Sequence, residues 1–317
     1  MPEVTFSSTA EESLAGICRA LADCYRGFGE RMNALAQAAG VSWPEPEPDA
    51  VFPLEEEAEF VRVQNIDLRH SVVAREAGSG KIVGIALLGR RGERSWLAEF
   101  AVAPEWRGRG IGDRLLATFL AEARSVGVRQ VEFDVLAVNT PAIRVYERAG
   151  FRRAGDLLEL VASADDLGLA AGESPAGMRI SACPVGCAAG WFAETMAAER
   201  GPCWERDLPA LLARGNARAV VASQGDREEG LLVYAAQPAP AGRHGPRVHV
   251  LYAGLRGTAG RLHLRALLGA AAREASFDAG VAIFRAGLEP AGSRLARELR
   301  ALGFGEGQRS YDMRRGI

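Results

Sequence analysis

The apolar positions of the chain recur with two different periods, and their order predicts an α/β protein built on a mixed sheet. Helical spacing gives way to period-two runs and then returns. The predicted elements of the first half are, in chain order, strand EVTFSS, a helix from Ala10 to about Ala39, strands SVVAREA, KIVGIALLG and WLAEFAV, a helix from about Asp113 to Val126, strand VRQVEFDVLAV, helix TPAIRVYERAG and a strand near LLELVA.

A similar order of elements begins again after GLAAGESPAG, a link rich in Ala, Gly, Ser and Pro. The matching segments are MRISA, CAAGWFAETMAAER, the hairpin RAVVASQGDREEGLLVYAA, RVHVLYAGL, RLHLRALLGAAAREA and LARELRALGF. We interpret the chain as an internal duplication, with domains at 1–168 and 177–317 and a linker at 169–176. An unrelated α/β domain with a similar element order is the alternative.

Composition narrows the classes of partner. The 317 residues carry a formal net charge of −2, without the basic excess typical of proteins that bind nucleic acid or membrane surfaces. The five cysteines form no zinc or disulfide pattern, so we expect reduced thiols, no metal and a cytoplasmic protein. No run of 18 apolar residues occurs. Monomer and homodimer both remain open.

The acidic segment WPEPEPDAVFPLEEEAE follows the first helical stretch. We interpret it as a solvated loop followed by an acidic helix start, and a site that attracts a cationic substrate is the alternative.

Three glycines fall close together after the apolar run WLAEFAV: Gly108, Gly110 and Gly112, next to Arg107 and Arg109. A glycine-rich turn between a strand and a helix presents several backbone N–H groups in one direction, which favours a phosphate or diphosphate. Taken alone the pattern is weak, and a purely structural turn is the alternative. Neither the P-loop nor the dinucleotide fingerprint is matched.

The wider context resembles a known family. Val102-x-Pro104-x-x-Arg107-Gly108-x-Gly110-Ile111-Gly112 is similar to the acyl-CoA pyrophosphate loop of the GNAT superfamily of N-acyltransferases. Asn139-x-x-Ala142-Ile143-x-x-Tyr146-Glu147-x-x-Gly150-Phe151 resembles that family's second cofactor motif, in the family's order and spacing. The resemblance is strong from about Ser71 to Phe151 and weak before Ser71.

This resemblance implies an enzyme that moves an acetyl group from acetyl-CoA to a primary amine of a small molecule. The same resemblance leaves two other interpretations of the function open. One is acetylation of a protein N-terminus or lysine, or use of a longer acyl group. The other is a non-catalytic module that senses acyl-CoA.

The resemblance also implies roles for single residues. The backbone amides that would hold the diphosphate are those of Arg107, Gly108, Arg109, Gly110, Ile111, Gly112 and Asp113, with both arginine side chains adding charge. The strand ending in Ala101 and Val102 would part from its neighbour and pair with the pantetheine amides. Asn139 would reach the pantetheine arm, and helix capping is its alternative. Tyr146 would protonate the leaving thiolate, and a core aromatic is its alternative.

Acetylation also needs a base, because an alkylamine with a pKa of about 10 is mostly protonated at neutral pH. Glu99 and Asp134 are the leading candidates, in that order, and Glu132 is a weaker one. An acid within an apolar strand is expensive to bury unless it is paired or used. Solvated strand ends or structural ion pairs are the alternative for all three.

The second half departs from both motifs. Its segment Arg256–Arg261 aligns with RGRGIG, but Ala259 and Arg261 replace two of the glycines. Leu299 stands at the position of Tyr146, and Gly292 at that of Asn139. We therefore interpret the second half as a GNAT-like domain that has lost catalysis and helps to shape the acceptor pocket.

Overall fold

The computed structural model describes residues 3–43, 46–169, 177–198, 204, 207–237, 247–257, 259–274 and 283–317. They form two compact units. The first unit comprises Met1–Gly155 together with Tyr311–Ile317, and the second comprises Asp156–Ser310. The predicted α/β class with mixed sheets is confirmed.

The first unit contains both predicted motifs. Its elements are β1 (Val4–Ser8), α1 (Leu14–Tyr25), α2 (Phe28–Ala38), α3 (Leu54–Val63), β2 (Val72–Glu76), β3 (Ile82–Arg91), β4 (Arg94–Val102), α4 (Ile111–Ser125), β5 (Gln130–Leu136), α5 (Thr140–Arg148) and the start of β6 (Arg152–Ser163). The element types match the sequence pattern, and the bounds differ by a few residues.

One predicted helix is two helices. The helical spacing from Ala10 to Ala39 continues through α1 and α2, but Gly27 between them has a φ of 66°. Glycine adopts this left-handed conformation at little cost, so the chain changes direction there. A periodic pattern of apolar residues does not reveal such a break.

Strand β3 forms the centre of the first unit. Residues 82–89 are all buried, since α1 and α4 both pack on this strand and its two faces are covered. The fully buried partners are Ile17 and Leu21 of α1 and Leu115, Leu116 and Phe119 of α4. β3 pairs antiparallel with β2 on one side and with β4 on the other.

The second unit repeats this plan. Its elements are β7 (Met178–Cys183), α6 (Ala188–Ala198), α7 (Leu208–Ala213), β8 (Ala217–Gln224), β9 (Arg227–Gln237), β10 (Arg247–Leu255), α8 (Arg261–Glu274), β11 (Ile283–Pro290), α9 (Arg294–Leu302) and the start of β12 (Gly305–Gly316). The first unit orders its strands β1-β2-β3-β4-β5-β12, and the second β7-β8-β9-β10-β11-β6. The sixth strand of each sheet therefore comes from the other half of the sequence.

This exchange makes the compact units differ from the predicted ranges 1–168 and 177–317. β6 pairs antiparallel with β11 between Ser163↔Ile283 and Leu157↔Pro290, inside the second unit. At the chain's other end, the amide of Ile317 donates to the carbonyl of Arg129, 2.8 Å away, inside the first unit. Strand partners are long-range choices that local patterns do not encode. The predicted linker 169–176 lies outside the described residues except for Leu169.

Two further observations concern the whole described chain. Cys18, Cys24, Cys183 and Cys187 are free thiols, whereas Cys203 lies outside the described residues. None of the described helices combines the length and the apolar character that crossing a bilayer requires.

The acidic segment departs at Glu57 from the predicted solvated loop and acidic helix start. Glu57 on α3 is only 8% exposed, and its Oε2 atom has no hydrogen-bond partner. Burial, followed by the charge of Glu56, raises the pKa of Glu57 from 4.5 to about 7. A carboxyl group in this position favours its neutral form.

We expect Glu57→Gln to stabilise the protein in a pH-dependent way. Below pH 4.5 Glu57 is protonated in both states and the variant gains little. Between 4.5 and 7 only the unfolded state ionises, so the free energy of unfolding of the wild type falls. The advantage of the variant then grows to at most about 3 kcal/mol and stays level above pH 7.

Urea unfolding at pH 4.5, 6 and 8 measures this difference. Glu55→Gln, at an exposed position of the same helix, is the matched control. A stability gain for Glu57→Gln that does not change with pH would contradict the account.

Candidate active site

The site begins where two parallel strands part. β4 and β5 are paired only from Arg94↔Gln130 to Trp96↔Glu132. Beyond this point β4 continues to Val102 along β3, with a bulge between Leu87 and Leu88. β5 continues to Leu136. Residues 97–102 of β4 therefore face a gap rather than β5, as expected for the strand that ends in Ala101 and Val102.

The glycine turn lies directly beyond the end of β4. Gly108 and Gly110 have φ values of 72° and 74°, which is why both positions need glycine. Gly110 is also the N-cap of α4 and offers no side chain to the helix. The amides of Ile111, Gly112 and Asp113 are thus left for another acceptor.

There is room for that acceptor beside the turn. A Cβ atom built on Gly108 or Gly110 would meet no other atom within 4 Å. Open space, free first-turn amides and the positive end of the helix dipole together fit an anion such as a diphosphate.

The two arginines of the turn differ in their surroundings. Arg107 donates from Nε to the carbonyl of Val102 at 2.8 Å and from Nη2 to that of Cys24 at 3.0 Å. Its guanidinium therefore ties the turn to the end of α1. Arg109 is exposed and lies over the ring of Trp106, 5.2 Å from its centroid. Direct charge contacts from either side chain to a diphosphate remain a prediction.

Asn139 holds an unpaired buried oxygen. It is the N-cap of α5, yet its side chain makes no capping hydrogen bond. The residue is 8% exposed, and its Oδ1 has no partner in the structure. Capping therefore does not explain the side chain. Leaving a buried acceptor unsatisfied costs about 1–3 kcal/mol, so this oxygen is well suited to accept an N–H from a ligand.

Tyr146 on α5 lies in an aromatic cluster with its hydroxyl near negative charge. Tyr146 is 6% exposed. Its ring centroid lies 4.3 Å from that of Phe133 and 5.6 Å from that of Phe100. Burial raises the pKa of the phenol most, followed by the charges of Asp134 and then Glu99. Tyr146 therefore interacts electrostatically with both leading base candidates.

Glu132 is the candidate that the structure sets apart. It is 5% exposed and forms an ion pair with Arg94 at the closed end of the gap. The side-chain amide of Gln130 also donates to its Oε2, 3.2 Å away. For Glu132 the alternative of a structural ion pair applies. Glu99 and Asp134 are partly exposed.

Tyr25 is a site residue that sequence reasoning missed. It ends α1, and its side chain is hydrogen-bonded to Glu99. Burial, followed by the charge of Glu99, raises the pKa of the phenol, so the hydroxyl keeps its proton and donates to the carboxylate. In the sequence Tyr25 is one apolar position of a helical pattern. In the sequence, only its position two residues before the helix break at Gly27 distinguishes Tyr25 from the other apolar positions.

The second unit closes the equivalent turn with its own side chain. Arg294 of α9 donates to the carbonyl of Leu255 at 3.0 Å, to that of Gly257 at 3.3 Å, and also to that of Ala259. Leu299, at the position of Tyr146, is fully buried and has no proton to give. Thr258 lies outside the described residues. That the second unit is not catalytic stays a prediction.

Comparison with known proteins agrees with this geometry. Residues 32–151 match the Acetyltransferase (GNAT) family. A GCN5-related N-acetyltransferase from Sphaerobacter thermophilus has a similar fold, with a TM-score of 0.61 and 18% identity over 99% of this chain and 95% of that one. A tandem GNAT protein from the clavulanic acid biosynthesis pathway has a TM-score of 0.61 and 16% identity, covering 99% and 98%.

A GCN5-related N-acetyltransferase from Anabaena variabilis covers 99% of this chain and 72% of that one, with 13% identity and a TM-score of 0.57. At these identities the solved structures establish the fold. Because the matches extend over nearly the whole chain and one of them is a tandem protein, they also support the two-unit architecture.

Proposed function

We propose, since this chain carries a GNAT-family acetyltransferase domain at residues 32–151, that its first unit transfers an acetyl group from acetyl-CoA to a primary amine of a small molecule. One observation supports this most directly. The first unit combines an unpaired edge of β4, a glycine turn beyond its end, the unpaired oxygen of Asn139 and the protonated hydroxyl of Tyr146.

The residues around the gap suit the parts of acetyl-CoA, which supplies an activated acetyl thioester when bound. The amides of the turn from Arg107 to Asp113 would hold the diphosphate. Asn139 Oδ1 would accept a pantetheine N–H, which relieves its unpaired burial. The backbone of β4 near Ala101 and Val102 would pair with the pantetheine arm as an added strand.

Proton transfer would use the three polar side chains at the gap. Glu99, or Asp134, would take a proton from the amine, directly or through water. Glu99 is the better placed of the two because Tyr25 donates a hydrogen bond to it and fixes its orientation. The Tyr146 hydroxyl keeps its proton, since burial and two carboxylates raise its pKa. That proton would pass to the departing sulfur.

Catalysis is favoured over sensing by the same side chains. A module that only senses acyl-CoA needs the turn and the strand edge, but it has no use for a phenol that is kept protonated by burial and by the charges of Asp134 and Glu99. A protein N-terminus or lysine as acceptor, or a longer acyl donor, requires the same proton transfers.

We expect Tyr146→Phe to lower kcat at least about 100-fold while the KM for acetyl-CoA stays nearly constant. The ring remains in its aromatic cluster, so only the transferable proton is lost. Release of coenzyme A, followed with a thiol reagent alongside mass spectrometry of a broad amine panel, measures the effect.

Tyr234→Phe is the matched control, because it removes a buried phenol hydroxyl, hydrogen-bonded to Glu274, from the second unit. A wild-type protein that binds acetyl-CoA but acetylates no amine would instead support the sensor. Unchanged turnover in Tyr146→Phe would remove Tyr146 from the mechanism.

We expect Gly110→Ala to weaken acetyl-CoA binding about tenfold or more, because the change in φ turns amides away from the diphosphate. Gly92→Ala is the control: Gly92 has a φ of 61° in the β3–β4 hairpin, and a Cβ there also meets nothing within 4 Å. Both variants should lose about 1 kcal/mol of stability.

Calorimetry with acetyl-CoA and urea unfolding separate these two effects. Equal loss of acetyl-CoA affinity in both variants would mean that the glycine turn is structural.

A further inference from the structure

Arg31 is a cation without a partner beside the candidate site. It lies on α2, and its Nε is buried with no hydrogen-bond acceptor. Among the described residues its side chain forms no ion pair or hydrogen bond, unlike Arg26, which pairs with Glu105 at 2.7 Å. Burying a charged donor without a partner is costly, so the side chain destabilises the fold in the absence of a ligand.

Arg31 interacts electrostatically with Tyr25 and with Arg107. Burial lowers the pKa of Arg31, and the Tyr25 phenol is the one group that opposes this among the described residues. Arg31 in turn contributes to the lowered pKa of Arg107. Two guanidinium groups therefore lie close together, and Arg107 is already bound to two carbonyl oxygens. The guanidinium whose N–H groups bind no acceptor among the described residues is therefore that of Arg31.

Arg31 is connected to Glu99 through two aromatic residues, Phe28 and Tyr25. Phe28 and Arg31 are three residues apart on α2 and so lie on the same helix face. The Tyr25 ring is 5.4 Å from that of Phe28 and 5.4 Å from that of Phe52. The Tyr25 hydroxyl donates to Glu99. We call these five residues, Tyr25, Phe28, Arg31, Phe52 and Glu99, the acceptor wall.

The acidic segment after α2 holds this wall in place. Asp49 Oδ1 accepts from the amide of Gly29 at 3.2 Å. The Asn33 side chain exchanges two hydrogen bonds with the backbone of Glu47, at 2.9 and 2.7 Å. A Cβ on Gly29 would come within 2.5 Å of the Pro48 backbone. These contacts fix the turn of α2 that carries Arg31, and they give the segment a supporting role.

We propose that Arg31 binds a carboxylate of the acceptor, so that the acceptors of this enzyme are primary amines that also carry a carboxylate, as amino acids do. A guanidinium matches a carboxylate with two parallel hydrogen bonds. With that end held by Arg31, the amine end of the acceptor faces Glu99. The partly exposed rings of Phe28 and Phe52 contact the carbon skeleton between them. This inference rests on the proposed function.

The experiment compares free amino acids with their carboxamides as acceptors at saturating acetyl-CoA. We expect the wild type to acetylate at least one amino acid with a kcat/KM about 30-fold or more above that of its carboxamide. Arg31→Gln should remove this preference by lowering kcat/KM for the acid alone. Arg31→Lys should restore part of it, because the charge returns without the planar fork.

Arg26→Gln, which removes a paired and exposed arginine at the start of the same region, should keep the preference of the wild type. Arg31→Gln should unfold at the same temperature as the wild type or higher, because it removes a guanidinium whose buried Nε has no acceptor. A lower unfolding temperature would show that Arg31 is structural. A rise in the KM for acetyl-CoA would assign Arg31 to the donor. Either result overturns the inference, as does a preference for carboxamides.

A binding experiment distinguishes failure of the proposed function from failure of the carboxylate site. If no amine is acetylated, binding of N-acetyl amino acids in the presence of coenzyme A is measured by calorimetry for the wild type and Arg31→Gln. Binding that Arg31→Gln abolishes supports the carboxylate site, although acetyl transfer itself would be refuted. Binding that Arg31→Gln leaves unchanged, or no binding at all, refutes the carboxylate site.

Discussion

The site depends on the parting of β4 from β5 after a short parallel ladder. A strand with one neighbour exposes backbone groups that must find other partners. β4 tolerates this because β3, buried on both faces, holds its other edge through to Val102. The ion pair between Arg94 and Glu132 lies at the closed end of the gap and helps to fix where the strands begin to separate.

Two of the buried polar atoms without a hydrogen-bond partner belong to residues to which we assign a ligand. Asn139 Oδ1 is an acceptor without a donor, and Arg31 Nε is a donor without an acceptor. Native proteins leave few such atoms buried, and each needs an explanation. Glu57 has an unpaired oxygen too, but a carboxyl group relieves its burial by staying protonated. Arg31 cannot relieve the burial of its Nε in this way, since arginine does not lose its proton in proteins.

Local patterns in the sequence predicted most of the elements, because helices and hairpins are set by neighbouring residues. The left-handed Gly108 and Gly110 were recognisable for the same reason. The exchange of β6 and β12 between the units was not predicted, since strand pairing joins residues far apart in the sequence. The hydrogen bond from Tyr25 to Glu99 was missed for that reason as well, and so was the unpaired state of Arg31.

The two units separate what the fold requires from what the site requires. Among the described residues, both keep a parallel pair that is joined over three residue pairs, β4 with β5 and β10 with β11. In the second unit Arg294 donates to carbonyls of the equivalent turn, and the buried, apolar Leu299 stands at the position of Tyr146. The first unit leaves the corresponding amides and Asn139 open. The same arrangement of strands therefore forms with Gly292 and Leu299 in place of Asn139 and Tyr146, so the fold itself does not require these two polar side chains, as the proposed role in ligand binding predicts.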